Sequence, residues 1–415
     1  MYAFGVRVGF ETGSALVLLG FVALGVALGT VSGLTPGLHV NTLAALLAAA
    51  VPVLPGPARG VAVAILVAGV VHSILDVVPA LALGVPDSAM APSTLPGHRL
   101  VLAGRGREAL RLSALGSGAA ALLACLLGWP ITQVVRPFAP LLHEHLPVVL
   151  AAVVVFLVLT ERTRRQRLGG LVAFLLSGAF GVLALDLPTA PLLGNGDLLM
   201  PAFAGLFGLP ILLEATRGGG PPKQGDTAIT ASPRRTLLAA LAGAAAGAAV
   251  SYVAGVSSAV AAVIALAALP PHAGDGDRSF LVATSGVNTS NTIFALFAFV
   301  TLDEAHTGVV VALDRSAVPL DLPLYVVCLL LAAALGVVLV LVVGDRYLDA
   351  VRFLPYRAVC TAAFAVVCVL AFVLAGPVGL AVLAGGTLVG FVPVRFGARR
   401  VHLMGVLIVP LVLTV

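Results

Sequence analysis

Residues 33–42, Gly33-Leu34-Thr35-Pro36-Gly37-Leu38-His39-Val40-Asn41-Thr42, interrupt a run otherwise built of Leu, Val, Ala and Gly. Ala15 to Val31 leads into the stretch and Leu43 to Val51 follows it, both strongly apolar. Pro36 removes a backbone donor and breaks a helix, and Gly33 and Gly37 loosen it on either side. Broken backbone at membrane depth is tolerated only where protein or a cavity surrounds it. Paired breaks of this kind are a sequence pointer to a transporter's binding site. A second half-helix beginning near Leu38 to Thr42 would aim free N–H groups and a positive dipole end into the protein. Such an end suits a carboxylate or a phosphate. Thr35, Gly37, Leu38, His39, Asn41 and Thr42 are therefore the first candidate binding residues. A kinked packing helix capped by Asn41 and Thr42 is the plainer alternative. Several polar side chains meeting at one break favour the functional reading.

Working outward, the 415 residues are 60% hydrophobic and only 10% charged, with mean hydropathy +1.13. That balance implies an all-α polytopic membrane protein of the cell membrane and excludes a soluble globular domain. Spans are expected at 14–51 as two half-helices, 59–75, 109–129, 147–160, 168–185, 236–269 as two halves, 279–300, 322–343, 358–375, 377–393 and 401–415. The interrupted segments 76–97, 186–213 and 306–320 read as re-entrant or short broken helices. The first apolar run reads as a retained span and not as a cleaved leader. The net charge of +5 is topological, since cytoplasmic loops collect Arg; no aromatic-interleaved basic segment suggests nucleic acid. The arginine clusters at 99–111, 162–167, 217–235 and 346–357 are expected on the cytoplasmic side. The acidic loops around Asp275–Asp277 and Asp303–Glu304 are expected outside. Cys125, Cys328, Cys360 and Cys368 lie in apolar runs without ligand spacing and read as small buried hydrophobes.

Residues 217–235, RGGGPPKQGDTAITASPRR, form a polar, Gly- and Pro-rich linker. It divides the chain into a first half (1–216) and a second half (236–415). A shift of 218 residues lays Gly25, Gly29, Gly37 and Pro52 over Gly243, Gly247, Gly255 and Pro270. This predicts a duplicated architecture with discontinuous helices; parallel and inverted arrangements are both open.

The second half offers its own candidates. Gly255, Ser257 and Ser258 mark a matching break. Residues 284–292, TSGVNTSNT, form a polar island between apolar flanks. Ser285, Asn288, Thr289 and Asn291 there could hold a substrate head group or a cation, or serve as interhelical glue. His72 and Asp76 stand four apart on one helix face. They read either as a proton- or cation-coupling pair or as a mutually satisfied structural pair. No metal-ligand set, phosphate loop or hydrolase motif occurs, so neither an ATP motor nor a soluble-type enzyme is expected.

Three stretches carry a resemblance. GTVSGLTPGLHVNTLAALL, GVPDSAMAPSTLPGHRLVLAGRGREAL and GDGDRSFLVATSGVNTSNTIFALF resemble motifs of the large permease subunit of tripartite tricarboxylate transporters. The resemblance spans both halves. The second Pro-Gly motif is reduced to Ala254-Gly255-Val256-Ser257, and Ser or Thr replaces the acidic residue usual before the Asn-rich segment. His39 and Asn41 look characteristic of a divergent, archaeal branch. The resemblance implies a secondary transporter of an organic anion, a di- or tricarboxylate, driven by H+ or Na+ and needing no cofactor. It also implies a small membrane subunit and an extracytoplasmic binding protein as partners. The alternatives are a polyprenyl-phosphate translocase and an intramembrane enzyme using His39, His72 and Asp76.

Overall fold

The computed structural model describes residues 2–3, 6–7, 12–36, 38, 40, 43–44, 47, 56–84, 94–192, 196, 198–215, 221–253, 258–267, 276–303, 305, 307–315, 318 and 320–414. The fold is all-α; the described residues add only a two-residue antiparallel pairing of Tyr2–Ala3 with Val6–Arg7. Six of the described helices are long and apolar enough to cross a bilayer. The first half carries α1 (Thr12–Gly33), α2 (Ala58–Leu75), α3 (Val77–Leu83), α4 (Thr94–Leu102), α5 (Gly106–Val135), α6 (Ala139–Glu144), α7 (Leu146–Leu159), α8 (Arg164–Ala184), α9 (Leu199–Phe203) and α10 (Leu209–Ala215). The second carries α11 (Pro233–Ser251), α12 (Ser258–Ala267), α13 (Gly276–Leu302), α14 (Gly308–Arg315), α15 (Leu322–Phe353), α16 (Tyr356–Gly390), α17 (Val392–Phe396) and α18 (Gly405–Thr414).

Helices α2 and α3 form one apolar rod, Ala58–Leu83, that is buried all round, as uniform hydrophobicity requires. It runs eight residues beyond the expected span because Asp76 turns the chain without ending it. Small residues let α1 lie directly on the rod. A methyl on Gly25 would come 2.7 Å from the Ala64 carbonyl, on Gly29 2.6 Å from that of Ala68, and on Gly33 3.0 Å from that of His72. Contact numbers rise together on both helices, so α1 and α2 are parallel. The same geometry recurs in the second half. A methyl on Gly243 would meet the Ala283 carbonyl at 2.6 Å and one on Gly247 that of Val287 at 3.0 Å, so α11 and α13 are parallel too. Helix α11 ends 218 residues after α1, and α13 begins 218 residues after α2.

Helix α5 packs parallel to α13, with Gly116 against Val282 and Gly128 against Phe297. Helix α15 packs along the rod in the same direction, with Gly336 on Ile74 and Gly344 on Val78. Between α5 and α15 the order reverses: Gly106 meets Leu348, Gly344 meets Leu110, and Gly118 meets Val337. Helices α1, α2 and α15 therefore run one way through the core and α5, α11 and α13 run the other. The α1 break lies beside His72, near the middle of the 26-residue rod. The α11 break lies beside Asn291, near the middle of the 27-residue α13.

These directions place the starts of α5, α11 and α13 and the end of α15 at one end of the core. Arginines crowd there. Arg107 pairs with Asp345 at 2.5 Å and Asp349 at 3.5 Å. Arg105 and Arg278 both pair with the fully buried Glu108, at 2.6 and 2.8 Å. Arg99 meets Asp277 at 2.6 Å, which corrects the expectation that the Asp275–Asp277 loop faces away from the bases. The reason is topological: α13 starts beside α5, so Asp277 starts there too. Residues 221–232 also depart from a free linker. Gln224 bonds the Gly106 amide at 2.7 Å, the Gly225 amide bonds Gly104, and Thr230 gives its amide and hydroxyl to Glu108 at 2.9 and 3.0 Å. Polar composition excludes a packed core there, but the unpaired ends of α4 and α5 supply partners. At the opposite end of the core the exposed Arg59 stands 3.9 Å from Asp321.

Helices α8, α9, α10, α16, α17 and α18 pack on one another as a second body, and Phe203, Phe207, Leu403 and Met404 form a core there with Leu150 of α7 and Val260 of α12. Gly376, at φ +66° with Pro377 following, breaks α16. A methyl on Gly379 would strike the Ala371 carbonyl, a contact that a straight helix forbids eight residues apart. The chain therefore folds back at Gly376. At the arginine-rich end of this body, Glu161 is buried between Arg399, whose guanidinium and amide both donate at 3.0 Å, and the His402 ring at 2.9 Å. Burial alone would raise the carboxyl; the bonds from His402 and Arg399 overcome it and hold it at about 2.

Candidate functional site

The described members of the predicted polar set lie along α2 and α13 and the helix ends beside them. His72 is fully buried and its Nδ1 lies 2.9 Å from the Ser32 hydroxyl at the end of α1. Ser32 also donates to the Gly29 carbonyl at 3.2 Å. Past Ser32 the helix closes with Thr35, whose hydroxyl donates to Val31 at 2.7 Å, and the Leu38 amide reaches the Thr35 carbonyl at 3.3 Å. Gly37, His39, Asn41 and Thr42 lie outside the described residues.

Asp76 and His72 do share one turn of helix, the Asp76 amide donating to the His72 carbonyl at 2.9 Å. Their described side-chain partners differ, however. Asp76 Oδ2 accepts from Asn288 Nδ2 at 2.7 Å, and the same amide donates to the Ser73 carbonyl at 3.0 Å. This bond joins the rod of the first half to the polar island of the second, with both residues about 96% buried. It is a buried hydrogen bond in a low-dielectric setting, where water offers no competing partner.

The island's other members divide by partner. Ser285 bonds the Ser113 hydroxyl at 2.9 Å, and its carbonyl accepts from Ser117 at 3.3 Å. It ties α13 to α5, the helix-glue role. Asn291 Oδ1 lies 3.0 Å from the Ser251 hydroxyl, which also reaches the Gly247 carbonyl at 2.7 Å, and the Asn291 amide donates to Ser258 at 3.3 Å. Thr289 is fully buried and its hydroxyl has no hydrogen-bond partner among the described residues. Gly255 and Ser257 lie outside the described residues. The structure thus brings Ser32, His72, Asp76 and Asn288 together on one side and Ser251, Asn291 and Ser258 on the other. Among the described residues no three His, Cys, Asp or Glu side chains converge as a metal set. An apolar cavity lined by Leu212, Leu213, Cys360, Thr361 and Phe364 lies in the second body, away from these residues.

Sequence reasoning missed Ser32, Ser113, Ser117 and Ser251, single hydroxyls within small-residue runs that carry no periodic signal. It also missed Tyr252, whose hydroxyl meets Thr132 of α5 at 2.5 Å immediately after the second break. Glu108 could have been found, since it is a lone acid opening a spanning helix beside four arginines.

The model of the tripartite tricarboxylate transporter TctA family matches residues 19–405. The chain belongs to the TctA family. An uncharacterized protein of Methanocaldococcus jannaschii is 24% identical over 350 residues, covering 81% of this chain and 82% of the relative. That similarity to an archaeal protein agrees with the divergent branch suggested by His39 and Asn41. No solved structure matches. TctA proteins are transporter permeases and not enzymes, and this TctA member is accordingly a multi-pass membrane transport protein.

Proposed function

We propose that this TctA protein is a secondary active transporter of an organic anion, a di- or tricarboxylate, coupled to a proton or sodium gradient. The carrying observation is the Asp76–Asn288 bond at mid-depth between a helix of each half. Ionisable residues in such places mark transport pathways by default. The two halves are read as inverted repeats: α1 and α11, and likewise α5 and α15, occupy equivalent places and run oppositely. An anion would sit between the breaks, held by free N–H groups and by Asn41, Thr42 and Ser257, with Asn288 and Asn291 fixing the elements on either side. His39, His72 or Asp76 would couple it to the ion, histidine titrating most readily near neutral pH. The arginine-rich end would be cytoplasmic. A small membrane subunit and an extracytoplasmic binding protein are the partners that the family's tripartite organisation suggests.

A thermal-shift screen on purified protein tests this reading. Citrate or another di- or tricarboxylate should raise the melting temperature, with sodium or lowered pH enhancing the effect. Stabilisation by prenyl phosphates alone would instead assign a lipid-carrier translocase.

A further inference from the structure

The second break is bridged from one side by a single side chain. Helix α11 ends at Ser251 and α12 begins at Ser258. Asn291, on the neighbouring α13, touches both ends. The Ser251 hydroxyl lies 3.0 Å from the Asn291 side-chain oxygen and 3.0 Å from its backbone carbonyl, and shares its one proton between these and the Gly247 carbonyl of its own helix at 2.7 Å. The Asn291 amide donates to the Ser258 hydroxyl at 3.3 Å. Ser251 is fully buried and Ser258 is 6% exposed, so water offers little competition for these bonds. Only a side chain with an acceptor and a donor on one short stem can serve both ends, and asparagine has that pair. Tyr252 holds the α11 end from the other side through Thr132, which passes its own proton to the Gly128 carbonyl at 2.6 Å.

We propose that Asn291 is a positioning residue. It clasps the two ends of the second break and sets the spacing of the half-helix ends that would receive the anion. The proposal deepens the transport reading and rests on it for its functional consequence, but the clasp itself is a property of the fold. Asn291→Asp keeps the acceptor for Ser251 and loses the donor to Ser258. Ser258→Ala loses the same bond from the other partner, and Ser258→Thr keeps the hydroxyl.

Hydrogen exchange in detergent micelles reads the clasp without substrate. Amides across 251–258 should exchange about tenfold faster in Asn291→Asp and in Ser258→Ala, which corresponds to ~1.4 kcal/mol. The double variant should be no faster than either single one, and Ser258→Thr should match the wild type. Unchanged exchange in both single variants, or additive acceleration in the double one, overturns the proposal. In proteoliposomes given citrate, the same two variants should raise KM about tenfold with the turnover rate retained, and Ser258→Thr should restore it. Accelerated exchange with unaltered citrate KM overturns the positioning role. If the wild type itself takes up neither citrate nor a dicarboxylate, the transport reading fails, and exchange alone still decides the clasp.

Discussion

Asn288→Ala is the perturbation whose cost the structure fixes best. Two bonds leave with the side chain: one to the buried Asp76 carboxylate at 2.7 Å and one to the Ser73 carbonyl at 3.0 Å. Leaving a buried hydrogen-bond partner unsatisfied costs about 1–3 kcal/mol, and two partners are left here. The expected loss is therefore about 3 kcal/mol. Both partners are buried, so solvent does little to replace the missing donor. Asp76→Ala removes the first of these bonds from the other side. The double variant should consequently lose less than the sum of the singles, by about 2 kcal/mol, for groups in direct contact. Equilibrium unfolding in lipid bicelles measures all four corners of this cycle. A loss below about 0.5 kcal/mol for Asn288→Ala, or an additive double variant, would refute the coupling of the two halves through this bond.

Two further outcomes follow from the charged ends. The Glu161 carboxyl is held at about 2 against an ordinary 4.5, so its contribution is complete above about pH 4.5 and is lost as pH falls toward 2. Integrated over that shift it is about 3 kcal/mol; Glu161→Gln should lower stability at pH 7 and flatten the acid limb of a melting-temperature profile from pH 7 to 3. Cysteines introduced at Arg162 and at Asp186, beyond the two ends of α8, should react with an impermeant maleimide from opposite sides of the membrane. Arg162→Cys should be reached from the cytoplasm, and labelling of both from outside would overturn that orientation.

Composition was enough to indicate an all-α, multi-pass protein, because in a bilayer only internally bonded backbone and apolar surface are stable. The 218-residue offset was legible as well, since the glycines that let helices touch recur at fixed spacing in both halves. Helix direction was not legible. It emerges only from which residue meets which, as when Gly106 and Gly118 meet Leu348 and Val337 in reverse order. The polar island was visible at 284–292, but its division between glue and clasp depended on partners far off in the chain. Ser285 ties to Ser113 and Asn288 to Asp76, contacts of 172 and 212 residues' separation. Similarly, a Gly- and Pro-rich linker reads as unstructured until Glu108 and Gly106 supply the partners that pin it.

The central claim is that an organic anion crosses at the paired breaks. Gradient-driven citrate uptake into proteoliposomes, compared between wild type, Gly37→Leu and Asn41→Ala, tests it most directly. Saturable uptake that needs a proton or sodium gradient in the wild type, and is abolished in both variants while they remain folded and inserted, is the predicted result. Full uptake by both variants would contradict the account.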